Sequence, residues 1–122
     1  MTTIIPALRY PDARAAIDFL TSAFGFTEHA AHEHDGVIRH AELRLGDAWV
    51  MLGDQRAGGP EFPSGPSTIY VVVDDPDAHH DRAKAAGAEI VRELTDQDYG
   101  SREYAARDPA GNVWSFGTYM PA

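Results

Sequence analysis

The chain has 122 residues and no cysteine, and its 10 basic and 19 acidic side chains give a formal net charge of −9. This length suits one domain, the lack of cysteine excludes disulfides, thiolate metal sites and a cysteine nucleophile, and the acidic balance argues against nucleic acid while mildly favouring a neutral or cationic small-molecule partner. No segment has the pattern of a secretory signal or a membrane span, so we expect a cytoplasmic protein with no membrane partner.

The first elements along the chain are predicted to be a strand and a helix. Residues 4–10 have an extended pattern, and Pro11 holds the residue before it in that conformation, so that Asp12 can cap a helix. Gly25 follows at the position of a left-handed C-cap. One apolar stripe at helical spacing joins the two ends: Ala13, Ala16, Ile17, Leu20 and Phe24.

Three strands are predicted after this helix, at residues 27–34, 37–45 and 48–52. The pair Asp35-Gly36 between the first two is a hairpin turn signal. In the second of these strands, alternate residues divide into an apolar face and a polar face. The polar face contains His40, Glu42 and Arg44.

The second half of the chain repeats this plan. The segment Pro11-Asp12-Ala13 recurs as Pro76-Asp77-Ala78, each time before a helical pattern that stops at a glycine. The predicted elements are a strand at 68–73, a helix at 76–86 and strands at 88–93, 102–107 and 113–119. Between the halves, residues 54–66 are rich in glycine and proline and are predicted to be an irregular linker.

These elements predict a single α+β domain over residues 1–122, with module one at 1–53, the linker at 54–66 and module two at 67–122. Each module has the order βαβββ, and the strongest turn is Asp108-Pro109-Ala110-Gly111-Asn112, where Gly111 is free to adopt a positive φ. Two such modules are expected to form a curved mixed sheet around a concave cleft, with the helices outside and the ligand in the cleft.

The order of these motifs resembles one known superfamily over nearly the whole chain. The motifs are Leu8-Arg9-Tyr10-Pro11-Asp12, Ala16-Ile17-Asp18-Phe19, Phe24-Gly25-Phe26 and the turn at residues 108–112. Together they are similar to the glyoxalase, bleomycin-resistance and extradiol-dioxygenase proteins, also called vicinal oxygen chelate proteins. In metal-dependent members, the first and fourth strands of each module carry four His, Gln or Glu ligands.

The resemblance places these four ligand positions at Ile5, Met51, Thr68 and Ser115. None of these residues is a normal ligand of a hard or borderline divalent cation, and shifting the alignment by one residue brings in no such ligand. The expectation is therefore a protein with no family-type metal and no cofactor.

Other residue patterns leave alternatives open. His40 and Glu42 share a strand face, where they would form a polar centre for metal binding or acid–base chemistry, or a partly solvated face with ion pairs. Trp49 and Met51 would line a pocket or fill the core between the modules, as would Thr68 and Tyr70 on the other module. By analogy with the family, Tyr99, Gly100, Arg102 and Tyr104 are expected near the mouth of the pocket.

The sequence thus predicts a metal-free small-molecule binding protein that resembles the bleomycin-resistance branch and forms a homodimer. The alternatives are a glyoxalase-like lyase, isomerase or dioxygenase with relocated metal ligands, a metal-free acid–base enzyme, and an accessory domain with a protein partner. No motif specifies the ligand. The predicted ligand-binding residues are His40, Glu42, Trp49, Met51, Thr68, Tyr70, Arg102, Tyr104 and Ser115.

Overall fold

The computed structural model describes residues 1–121, which fold into two successive βαβββ arrays. The first array consists of β1 (Ala7–Tyr10), α1 (Ala13–Phe24), β2 (Thr27–His34), β3 (Val37–Leu45) and β4 (Ala48–Asp54). A short 3₁₀ turn (Gln55–Ala57) follows. The second array consists of β5 (Thr68–Val72), α2 (Pro76–Ala85), β6 (Glu89–Asp96), β7 (Arg102–Arg107) and β8 (Val113–Gly117).

The strands form two four-stranded mixed sheets, one from each array. The strand orders are β1-β4-β3-β2 and β5-β8-β7-β6. In each sheet the first strand is parallel to the fourth, and the other neighbours are antiparallel. The predicted α+β class with two βαβββ modules is therefore confirmed.

The chain divides into two compact units. The first unit contains Met1–Thr21 and Gly25–Gly65, and the second contains Ser22–Phe24 and the chain from Pro66 onward. The last turn of α1 thus belongs to the second unit. Neither helix within residues 1–121 is long and apolar enough to cross a membrane.

Both predicted ends of α1 are confirmed. The Asp12 carboxylate accepts a hydrogen bond of 3.1 Å from the amide of Ala15, which satisfies one of the free amides of the first turn. At the other end, Gly25 has φ 83°, a left-handed conformation that glycine adopts without steric cost. The predicted apolar stripe is buried, since each of its five members is at most 1% exposed.

The repeated Pro-Asp-Ala segment occupies different positions in the two helices. Pro11 precedes the cap residue of α1, whereas Pro76 follows the cap residue of α2, which is Asp75. Proline suits this first helical position because its missing amide would have no partner there. Asp77 therefore lies inside the helix and forms an ion pair with Arg102. The sequence repeat is displaced from the structural repeat.

Asp54 ends β4, although the sequence placed it at the start of the linker. Its side chain is 3% exposed and accepts hydrogen bonds from the amide of Ala13 at 3.0 Å and from the amide of Ile38 at 2.7 Å. The carboxylate thus joins the beginning of α1 to β3 within the first unit. Two long-range hydrogen bonds of this kind explain why the strand extends to a residue of low strand propensity.

The turn at residues 108–112 is organised by its first residue. The buried Asp108 carboxylate accepts hydrogen bonds at 3.0 Å from the amide and side chain of Asn112 and at 3.1 Å from the Trp114 indole. The Asn112 side chain in turn accepts a bond of 2.7 Å from the amide of Ser67, just before β5. With Gly111 at φ 89°, the predicted turn is confirmed, and its polar network ties the turn to the start of β5.

Candidate functional site

The second unit contains a cavity of about 710 Å³. This volume lies inside the range of roughly 300–1,000 Å³ that is typical of small-molecule sites. The lining is mainly aromatic and apolar, and it includes one carboxylate. Its residues are Tyr70, Val72, Tyr99, Glu103, Tyr119 and Pro121.

Glu103 of β7 is the polar centre of this cavity. Although it is a carboxylate, it is only 7% exposed. The Tyr70 hydroxyl donates to its Oε2 atom at 2.8 Å, and the Tyr99 hydroxyl donates to its Oε1 atom at 2.6 Å. The Tyr70 oxygen also accepts a bond of 3.0 Å from the amide of Tyr119. Residues from β5, β7 and the two flanking loops are thus held in one network.

Gly117 of β8 gives this network the space that it needs. It lies opposite Glu103 in the antiparallel pairing of β7 and β8. A Cβ atom at this position would overlap the hydroxyl oxygen of Tyr70 and the Cγ atom of Glu103. Only glycine therefore permits the bond between Tyr70 and Glu103 without a shift of one of these side chains.

The network sets the charge of its members. Burial raises the pKa of Glu103, but hydrogen bonds from Tyr99, Tyr70 and Ser101 together outweigh burial and hold this pKa below its usual value. The bond to Glu103 raises the pKa of Tyr99 to about 12, and burial raises the pKa of Tyr70. At neutral pH Glu103 is therefore ionised, and Tyr70 and Tyr99 are neutral.

Glu103 has no basic partner inside the part of the chain that the structure describes. None of the ion pairs within residues 1–121 includes it. Arg92 is near enough to contribute to lowering the pKa of Glu103, but it does not pair with it. The buried negative charge is therefore stabilised by neutral hydroxyl donors.

The first unit has a smaller cavity of about 220 Å³, lined by Ile5, Glu42, Trp49 and Met51. The sequence analysis had placed Trp49 and Met51 together on one face, and they do share this cavity. The volume is below the range typical of small-molecule sites. Of these two cavities, the one in the second unit is therefore the stronger candidate.

His40 and Glu42 contact each other at the edge of this smaller cavity. His40 Nε2 lies 2.9 Å from Glu42 Oε2, and His29 Nε2 lies 4.0 Å from Glu42 Oε1. The hydrogen bond from His40 lowers the pKa of Glu42 and outweighs its partial burial. The contact fits both alternatives for these residues, a polar centre and a partly solvated polar face.

The residues at the four family ligand positions do not fit a divalent cation. Ile5 has no donor atom, and the Met51 thioether suits only soft ions such as copper(I). Thr68 and Ser115 carry neutral hydroxyls, which are not among the usual ligands of zinc. Within residues 1–121, moreover, no group of three or more His, Asp or Glu side chains is placed to hold a metal ion.

Two predicted site residues, Arg102 and Tyr104, do not lie at the mouth of the cavity. Arg102 forms ion pairs with Asp77 at 2.6 Å and with Asp96 at 3.1 Å. Tyr104 is fully buried and its hydroxyl contacts the ring of His79 on α2. Because alternate residues of a strand point to opposite faces, these two residues lie on the face of β7 opposite to Glu103.

The other three predicted site residues of the second unit do not all line the cavity. Tyr70 lines the cavity, Ser115 is its partner in the pairing of β5 and β8, and Thr68 is exposed at the start of β5. Four further residues line the cavity without having been predicted from the sequence: Glu103, Val72, Tyr119 and Pro121. An available signal was the position of Glu103 between Arg102 and Tyr104, because strand alternation puts it on the opposite face.

The two successive βαβββ arrays define the class of protein to which this chain belongs. Residues 4–116 match the sequence model of the Glyoxalase/Bleomycin resistance protein/Dioxygenase superfamily. The chain belongs to this superfamily, as its motifs indicated.

The chain is also similar to individual proteins in sequence and in structure. Uncharacterized protein Mb0911c of Mycobacterium bovis is 41% identical over 121 residues, which cover 92% of this chain and 80% of that protein. The crystal structure of TioX from Micromonospora sp. ML1 has a TM-score of 0.85 and 34% identity, covering 98% of this chain and all of TioX (100%). A glyoxalase/bleomycin resistance protein from Streptomyces sp. CB03234 shares the fold, with a TM-score of 0.79 and 21% identity, covering 96% of this chain and 100% of that chain.

Proposed function

We propose that this chain is a metal-free small-molecule binding protein, similar to the drug-sequestering bleomycin-resistance branch of its superfamily. The ligand occupies the cavity of the second unit. The observation that carries this proposal is the cavity itself, which has about 710 Å³ of space, three tyrosines in its wall and a single buried carboxylate. An apolar, aromatic lining with few polar groups is the usual composition of a ligand pocket.

The chemistry of the lining supports binding more than catalysis. Tyr99 and Tyr70 keep their protons at neutral pH because the pKa of each is raised, so neither is a base. Each oxygen of Glu103 accepts a tyrosine hydroxyl. The family ligand positions contain Ile5 and Met51 in one unit, which supports a function without a family-type metal.

The alternative function is a glyoxalase-like lyase, isomerase or dioxygenase whose metal has moved to His40 and Glu42. The contact of 2.9 Å between these two side chains is the observation that favours it. A bound divalent cation would need at least one more protein ligand. Elemental analysis of the purified protein, before any chelator is added, separates this alternative from the binding function: one tightly held divalent metal per chain is expected for the enzyme and none for the binding protein.

A homodimer is part of the proposal, because paired modules from two chains commonly close the ligand cleft in this superfamily. Exposed apolar side chains around the cavity support it, among them Tyr119 at 44% and Met120 at 70% exposure. Light scattering coupled to size-exclusion chromatography is expected to give twice the chain mass of 13.3 kDa. A mass of one chain at micromolar concentration would contradict the dimer.

The binding function is tested with N-phenyl-1-naphthylamine, a neutral apolar fluorophore whose emission increases in apolar pockets. We expect saturable binding that Val72→Trp weakens at least tenfold, because Val72 lines the cavity and an indole there fills it. Val91→Trp is the matched control. This valine is also on a strand of the second unit and is 39% exposed, against 46% for Val72, but it does not line the cavity.

The comparison of the two tryptophan variants decides the result. Equal binding by Val72→Trp and Val91→Trp would remove the cavity as the ligand site. Lack of binding by the unaltered protein would contradict the proposed function. Circular dichroism of both variants establishes that each is folded.

A further inference from the structure

We propose that this cavity selects organic cations, namely molecules with an ammonium group attached to an aromatic or branched apolar body. The inference rests on the proposed function and specifies its ligand class. It is carried by the juxtaposition of the buried Glu103 carboxylate with Tyr70, Tyr99 and Tyr119 in one cavity wall.

The negative charge of Glu103 is costly to bury without a counter-charge. Removing a carboxylate from water without a partner is unfavourable, and buried charges in proteins are normally paired. Glu103 is only 7% exposed, yet the groups that hydrogen-bond to it, Tyr70, Tyr99 and Ser101, are neutral hydroxyls. An ammonium group in the cavity would supply the missing counter-charge.

The Glu103 carboxylate has acceptor capacity that its two tyrosine partners do not use. A carboxylate has about four lone-pair sites, two on each oxygen. Tyr70 occupies one site on Oε2 and Tyr99 occupies one on Oε1. The two tyrosine bonds do not fill the acceptor capacity of the carboxylate, so its charge remains available to a ligand cation, whether or not that cation carries an N–H donor.

The aromatic wall of the cavity also suits a cation. The faces of tyrosine rings attract cations electrostatically, and quaternary ammonium ligands are commonly bound in aromatic cages. The rings of Tyr99 and Tyr119 contact each other edge to face, with centroids 5.6 Å apart. Val72 and Pro121 add apolar surface for the body of the ligand.

The basic residues near the cavity leave Glu103 available. The guanidinium of Arg102 is engaged by Asp77 and Asp96. Arg92 is exposed on β6 and contributes to lowering the pKa of Glu103, but it makes no ion pair with this carboxylate. The net charge of −9 also favours the approach of cations over anions.

The test compares two probes of the same shape. Benzyltrimethylammonium is a permanent cation, and neopentylbenzene is its neutral isostere with carbon in place of nitrogen. Each displaces N-phenyl-1-naphthylamine from the unaltered protein in a competition titration at pH 7.5. We expect the cation to bind at least tenfold more tightly than the isostere.

The variant Glu103→Gln is expected to weaken binding of the cation at least tenfold and to change binding of the isostere less than threefold. Glu89→Gln is the matched control, because it removes the same charge from an exposed position of the same unit and does not line the cavity. The ratio of the two probe affinities is measured on the unaltered protein. It therefore tests the selection of cations even if Glu103→Gln folds poorly.

Three results would overturn the selection of cations. They are equal affinities for both probes, tighter binding of the isostere, and an equal loss of cation binding in Glu89→Gln and Glu103→Gln. In the first two cases the fluorophore still binds, and the proposed function stands without its cationic ligand. If neither probe nor fluorophore binds, the proposed function and this inference fail together.

Discussion

Replacing Asp108 with alanine is expected to lower the free energy of unfolding by about 3–5 kcal/mol, because several buried donors lose their acceptor at once. The side chain accepts from the backbone and side chain of Asn112 and from the Trp114 indole. Asn112 and Trp114 are each 1% exposed, so water does not replace the lost bonds without a rearrangement. Urea unfolding at equilibrium, followed by tryptophan fluorescence and circular dichroism, measures the loss.

Asp47→Ala is the matched control for this substitution. Asp47 is also in a turn between two strands, but it is exposed. Its replacement is expected to change the free energy of unfolding by less than about 0.5 kcal/mol. If Asp108→Ala were as mild as Asp47→Ala, the polar network would not stabilise the fold.

Replacing Phe24 with alanine is expected to cost about 3–5 kcal/mol, the usual range for a buried phenylalanine. This last residue of α1 is fully buried in the second unit. The centroid of its ring lies 4.8 Å from that of Phe116 and 5.7 Å from that of Trp114. Truncation leaves a cavity among aromatic rings that cannot close it without shifting, and loses their contacts as well.

Phe62→Ala controls for the chemistry of this second substitution. Phe62 is 56% exposed in the segment between the two arrays. Its truncation is expected to cost less than about 1 kcal/mol. Equal losses of stability in the two variants, measured by urea unfolding, would show that Phe24 does not contribute to the core as described.

Local chemistry made most of the fold predictable. A cap residue, an apolar stripe and a C-terminal glycine together set the limits of α1, and all three signals act within a few residues of one another. The hairpin at Asp35-Gly36 is predictable for the same reason, because this pair is a local turn signal. In the structure both residues have a positive φ. Long-range bonds were not visible in the sequence, so the inclusion of Asp54 in β4 was missed.

The candidate site was harder to predict than the fold. Tyr70 is among the predicted residues and lines the cavity, whereas on β7 the sequence favours Arg102 and Tyr104, and Glu103 is not predicted. Choosing the face of a short strand requires its neighbours, and α2 packs against the face that was preferred. The burial of Glu103 also depends on the absence of a side chain at Gly117, which is distant in sequence.

The sequence repeat indicates the correct architecture, but it matches residues that are not structurally equivalent. Pro11 and Pro76 were matched, yet the structural equivalents at the helix starts are the caps Asp12 and Asp75. Both helices begin with an aspartate that accepts from an amide three residues later. The functional similarity is in the capping chemistry, which a short motif match does not identify.

The central claim is that the cavity binds an apolar molecule without a metal. The most direct measurement is a titration of the protein with N-phenyl-1-naphthylamine after dialysis against EDTA, repeated with zinc added in excess. We expect the same dissociation constant in both titrations, and no stoichiometric divalent metal in the purified protein by elemental analysis before the dialysis. Binding that disappears with EDTA and returns with zinc would contradict this account.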